Sequence, residues 1–162
     1  MAIIFLWLGA GLAFAYLMQI ATGRPKEGHW QRSAVKTGAT LALVAAGLAS
    51  TAPGLVVLGL ALGAAGDFFL SRRGQTMFLA GMAAFAAGHL AYVAGFWTRA
   101  GHLGLAAPSP AQATALAMLG LTVGALGLWL SAKAGPLRLP VIAYALVIGL
   151  MAAAALILPA NP

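Results

Sequence analysis

The sequence predicts an all-α fold: a polytopic transmembrane helical bundle with six predicted spans, forming a single transmembrane domain over residues 1–162. Three observations predict it. Hydrophobic residues make up 62% of the chain and charged residues 7%, whereas a soluble domain is about one-quarter charged. Five stretches, 1–23, 37–66, 74–98, 100–132 and 139–162, hold no charged side chain, and each is long enough to include the ~20 apolar residues that cross a bilayer. The nine Lys and Arg residues then fall almost entirely on one side of the helices so defined.

The spans are placed in order near 2–20, 34–50, 53–71, 76–97, 111–131 and 138–158. The first lacks a basic leader and its apolar stretch exceeds a typical signal-peptide core, so it is read as an anchor. The run 37–66 is divided by Ser50-Thr51-Ala52-Pro53-Gly54. Pro53 suits the first turn of a new helix, and the hydroxyls before it are available as caps. Charge tests this division. With six helices, Arg24, Lys26, Arg32, Lys36, Arg72, Arg73, Lys133 and Arg138 share one side and Arg99 stands alone on the other. With 34–71 as one helix the cations would split nearly evenly, so the hairpin is preferred. This places the chain in the cell membrane as a multi-pass protein, with both termini outside and the basic loops cytoplasmic. Pro108-Ser109-Pro110 ends the longer outer loop and restarts a helix.

Composition excludes several functions. A net charge of +7 suggests nucleic acid, but here it reflects membrane orientation, and no nucleic-acid partner is expected. Without cysteine there is no disulfide or thiolate metal site. No phosphate loop, His-Glu-x-x-His helix or Gly-x-Ser-x-Gly elbow occurs. Two acids and three histidines make a multi-ligand metal site a poor expectation, and no cofactor is called for. His29 and His102 are read as solvated loop residues.

Ionisable residues within spans cost roughly 3 kcal/mol each on insertion scales, so each needs a reason. Asp67, in Gly66-Asp67-Phe68-Phe69-Leu70-Ser71, is the one intramembrane acid. It lies about 6 Å below the cytoplasmic surface. Two readings stand level: an ion pair with Lys36, Arg72 or Arg73, or a carboxyl kept protonated by burial that donates a proton. Counting helical rise places Gly81 roughly 7 Å deep and Tyr144 roughly 9 Å deep, in one layer with Asp67 and Lys36. Phe78, Gly81, Phe85, His89, Tyr92 and Phe96 form one continuous face of the fourth span. Such a stripe serves packing more often than ligand binding. His89, at roughly 20 Å depth, needs a polar partner other than Asp67. Gly59-x-x-x-Gly63 and Gly120-x-x-x-Gly124 permit close helix approach.

The Gly66-to-Ser71 stretch, followed by Phe78-x-x-Gly81-x-x-x-Phe85-x-x-x-His89-x-x-Tyr92 and then Leu139-Pro140-Val141-x-x-Tyr144, resembles the YhhN-like lysoplasmalogenase family of polytopic membrane hydrolases. The similarity covers roughly residues 34 to 158. It implies hydrolysis of the vinyl-ether bond of a lysophospholipid, releasing a fatty aldehyde and a glycerophospho-base. On that resemblance Asp67 is the general acid and Tyr144 orients the ether oxygen or water. Lys36, Arg72 and Arg73 hold the phosphate, and His89 and Tyr92 line the substrate path. The chain departs from the family pattern in two places. It lacks the last two helices, with the second acid of the penultimate one, and Lys36-Thr37 stands where Lys-Pro is usual. A two-carboxylate mechanism would then require a second copy, which leaves a homo-oligomer open. The competing class is a non-catalytic membrane protein, either a small transporter or a lipid-binding subunit. A transporter favours polar groups at the midplane, whereas here the charge gathers at one interface.

Overall fold

The computed structural model describes residues 1–21, 29–104 and 107–158. Among them every regular element is helical: α1 (Ala2–Ala21), α2 (His29–Ala49), α3 (Gly54–Leu70), α4 (Gln75–Leu103), α5 (Pro110–Lys133), a short 3-10 turn (Gly135–Leu137) and α6 (Arg138–Leu156). The loop cations Arg24 and Lys26 and the terminal Asn161-Pro162 lie outside the described residues. Two compact units divide the chain, Met1–Gly88 and His89–Pro162, and the boundary falls inside α4.

Among the described residues three segments, Gln75–His102, Pro110–Lys133 and Gly135–Leu156, are long and apolar enough to cross a membrane, whereas six were expected. The fully described parts of α1 and α2, Ala2–Met18 and Ser33–Ala49, and α3, Gly54–Leu70, are apolar but shorter. The shortfall in α3 follows from the hairpin, which takes Ser50 to Pro53 out of an uncharged run that two helices share. Its 17 residues extend about 26 Å, slightly less than the ~30 Å hydrocarbon layer.

Packing supports a lipid environment more directly than length does. Among the described residues the buried apolar ones are all alanines: Ala42, Ala46, Ala64, Ala91, Ala100 and Ala154. Large side chains point outward instead, with Trp7 75% and Leu128 68% exposed. In water such a surface would drive aggregation. In hydrocarbon it costs nothing, and helices associate through small residues that let their backbones approach.

The α2–α3 turn is where expected, but its hydroxyls act differently. Pro53 is itself the N-cap of α3, with no side-chain cap bond. Its carbonyl accepts from the amides of Val56 and Val57. Ser50 Oγ donates to the Gly47 carbonyl at 3.2 Å and Thr51 Oγ1 to the Ser50 carbonyl at 2.7 Å. Ser50 thus adds a second donor to a carbonyl that already accepts from the Ala52 amide at 2.9 Å, and neither hydroxyl caps an amide at the start of α3. Thr51 takes the turn with φ +54°, a left-handed conformation unfavourable for a β-branched residue.

α4 continues to Leu103, beyond the expected end at 97. Residues 98–103 contain no proline, and the helix stops only where Gly104 adopts φ +79°. His102 therefore lies in the last helical turn, and His29 opens α2, although both were assigned to loops. α5 begins as its sequence predicts. Ser109 Oγ accepts from the Gln112 amide at 3.2 Å, and Gln112 Oε1 accepts from the Ser109 amide at 2.9 Å, a complete capping box. Gln112 Nε2 also donates to the Leu156 carbonyl at 2.8 Å, tying the start of α5 to the end of α6. Gln112→Leu removes half the box and this tie together. It is expected to cost roughly 1–2 kcal/mol, read as a lower midpoint in thermal unfolding of the micellar protein.

Candidate functional site

The first unit brings two of the sequence-predicted residues together. Lys36 and Thr40 are four residues apart on α2 and so share a face. Asp67, on the last turn of α3, meets both. Lys36 Nζ lies 2.9 Å from Asp67 Oδ1, and Thr40 Oγ1 donates to Oδ2 at 2.6 Å. Each carboxylate oxygen is thus held by its own partner on α2. The Lys36 side chain is 34% exposed and that of Asp67 11%, so the ammonium faces outward and the carboxylate inward. Of the three cations offered as partners for Asp67, the structure selects Lys36.

Close backbone contact fixes α3 against its neighbours at this point. A Cβ on Gly66 would lie 2.6–2.9 Å from three atoms of the Phe85 ring. One on Gly81 would lie 3.2 Å from the Gly66 carbonyl, and one on Gly88 2.9 Å from the Gly59 carbonyl. Gly81 and Phe85, two members of the α4 stripe, therefore pack on α3 directly beside Asp67, as the packing reading expects. Of the two glycine pairs, Gly59 takes part through its carbonyl, while a Cβ on Gly63 would make only ordinary contact with Phe85 and Thr40 at 3.8 and 3.9 Å. Gly120 and Gly124 make no such contact: nothing lies within 4 Å of a Cβ built on either. The α5–α6 contact instead runs through Gly127 on Ala145 and Gly149 on Val123.

The remaining candidates are distributed elsewhere. Arg72 lies over the Phe68 ring at 4.5 Å and Arg73 is exposed in the turn after α3. Tyr144, His89 and Tyr92 belong to the second unit, where they form their own cluster. The His89 ring stands edge-on to Tyr144 at 5.8 Å and to Tyr92 at 6.4 Å between centroids. Counting rise had separated His89 and Tyr144 by about 11 Å in depth. That count assumed that helices start in one plane and run along the membrane normal, whereas tilts average ~20°. The short turn Gly135–Leu137 further offsets the start of α6.

A groove of about 490 Å³ opens in the first unit against this ion pair. α1 supplies Leu6, Gly9, Ala10, Ala13, Tyr16 and Leu17, while Lys36, Thr40 and Asp67 stand among its remaining walls. Sequence reasoning missed Thr40 and the α1 wall. The i, i+4 spacing from Lys36 was the available signal for Thr40. Small apolar residues in α1 gave none.

No curated protein and no solved structure matches the chain. A family model does, over residues 31–161, and it takes in Lys36, Asp67, the α4 stripe and Tyr144 while leaving α1 outside. Because that match spans most of the 162 residues, the chain is a member of the YhhN family.

Proposed function

We propose that this protein is a lysoplasmalogenase-like hydrolase of the cell membrane, crossing it six times with its basic loops in the cytoplasm, and that Lys36 and Asp67 together handle the reaction's proton. The observation that carries this reading is the 2.9 Å Lys36–Asp67 pair on the wall of a lipid-sized groove. Membership of the YhhN family supports the substrate class, a lysophospholipid bearing a vinyl ether.

The chemistry follows from what a vinyl ether requires. Its carbon–carbon π pair takes a proton at the carbon remote from oxygen, leaving an oxocarbenium ion. Asp67 Oδ1 delivers that proton and is resupplied by the Lys36 ammonium, so the pair keeps one mobile proton. The carboxylate then faces the cation and steadies it. Water adds to the carbon bonded to oxygen and returns a proton to the pair. The hemiacetal collapses as its hydroxyl proton passes to the departing ether oxygen. One vinyl ether and one water thus become an aldehyde and an alcohol. Thr40 holds Oδ2 throughout, leaving Oδ1 for transfer. Arg72 and Arg73 supply positive charge for the phosphate at the interface.

Tyr144, His89 and Tyr92 group together in the second unit and take no step in this proposal. The main test is aldehyde release from a lysoplasmalogen by the purified chain beside Asp67→Asn. Aldehyde from the parent that vanishes in the variant supports the hydrolase.

One observation favours a second reading. Both oxygens of Asp67 are satisfied within the protein, an arrangement equally suited to a strut joining α2 to α3 in a non-catalytic lipid-binding subunit. No aldehyde from a folded, monodisperse parent supports that reading instead.

A further inference from the structure

We propose that α1, which lies outside the stretch matched to the family, builds the specificity wall of this site, and that the groove between α1 and α2 seats the single hydrocarbon chain of the lysolipid. The inference rests on the reading of the Lys36–Asp67 pair as the place where the lipid's head is handled.

Register between the two helices orients the groove. A Cβ on Gly9 would meet the Ala39 carbonyl at 3.3 Å, and one on Gly38 would meet Leu12 at 3.5 Å. These two contacts define an antiparallel pair in which Leu6 lies toward Leu43 and Tyr16 toward Lys36. One end of the groove is therefore wholly apolar, and the other gathers Tyr16, Lys36, Thr40 and Asp67. The α1 wall from Leu6 to Leu17 runs about 16 Å along the helix. Ala10 and Ala13 are exposed on it, so space is kept open by side chains too small to fill it. The volume of about 490 Å³ lies within the ~300–1,000 Å³ typical of small-molecule sites.

Charge identifies the occupant. The second unit also has a groove, of about 530 Å³ between α5 and α6, but Leu, Val, Ile, Ala and Gly alone line it. That surface has nothing to distinguish one bilayer lipid from another. The α1–α2 groove ends on a partly exposed ammonium with hydrogen-bond donors beyond the one used on Asp67. An apolar slot ending in a cation matches a chain joined to a phosphate-bearing head. A chain lying here brings the bond beside its head to Asp67.

The test uses the full chain in nanodiscs and a saturated 1-O-alkyl lysophospholipid, which lacks the double bond that hydrolysis needs. Its binding is measured by calorimetry for the parent, Ala13→Leu, Ala10→Leu and the control Gly124→Leu. Gly124 lies in the other groove with nothing within 4 Å of a Cβ. The expected result is binding to the parent and to Gly124→Leu with equal affinity, and at least tenfold weaker binding to both alanine variants at unchanged monodispersity. Equal binding by all four, or none by the parent, overturns the slot. So does a parent dimer that Ala13→Leu makes monomeric while lipid affinity stays the same, because the groove would then be an interface between copies. Failure of the two proposals is distinguishable. Variant-sensitive binding without aldehyde release from a vinyl-ether lipid keeps the slot and removes the hydrolase. Aldehyde release that the alanine variants leave unaltered keeps the hydrolase and removes the slot.

Discussion

Asp67→Asn is expected to reduce aldehyde release from a lysoplasmalogen by about 10²–10⁴-fold, the usual worth of a general acid. The amide keeps the side chain's shape and can still accept from Thr40, but it neither holds nor returns a proton. Stability should fall as well, since Lys36 Nζ loses the oxygen now 2.9 Å away. Removing one partner of a fully buried pair costs about 3–5 kcal/mol, and the partial exposure of Lys36 lowers this to roughly 1–3 kcal/mol. The double variant Lys36→Met with Asp67→Leu separates strut from acid. Exchanging both ions for apolar groups is often neutral or stabilising, so the midpoint of unfolding should recover while aldehyde release stays absent. Activity that recovers along with stability would show that the pair acts only as a strut.

Gly88→Ala is expected to be the most damaging conservative change in the helix contacts. Its Cβ would lie 2.9 Å from the Gly59 carbonyl oxygen and 3.4 Å from Leu62 Cβ. The closest obstacle is backbone, which no rotamer change can move aside, so α3 and α4 must separate. Overpacking of this kind costs roughly 1–3 kcal/mol. Gly124→Ala adds the same methyl group where nothing lies within 4 Å and should leave stability unchanged. The comparison is made by thermal unfolding of both variants in one detergent. Equal midpoints would mean that the α3–α4 contact does not limit stability.

Both predictions rest on features that differ in how plainly the sequence shows them. Asp67 stands out because an acid in an apolar helix is expensive and cannot be mistaken for surface decoration. Gly88 does not stand out among 21 glycines. A glycine at a helix crossing and one facing open space, as at Gly120 and Gly124, look the same until the neighbouring helix is in place. The Gly120-x-x-x-Gly124 spacing is met, yet the contact falls one turn later, on Gly127.

Sequence alone determined the six helices, the break at Ser50 to Gly54, the restart at Ser109-Pro110 and the isolation of Asp67 as the acid to explain. Each follows from local chemistry, namely charge-free runs, proline, capping side chains and the cost of a charge in hydrocarbon. Tertiary structure alone decided which cation meets Asp67, that Thr40 takes its second oxygen, that Tyr144 lies against His89, and that α1 walls the groove. Those outcomes depend on helix tilt, register and crossing distance. Lipid-facing helices are apolar all round, so their composition shows that they pack without showing which face meets which neighbour.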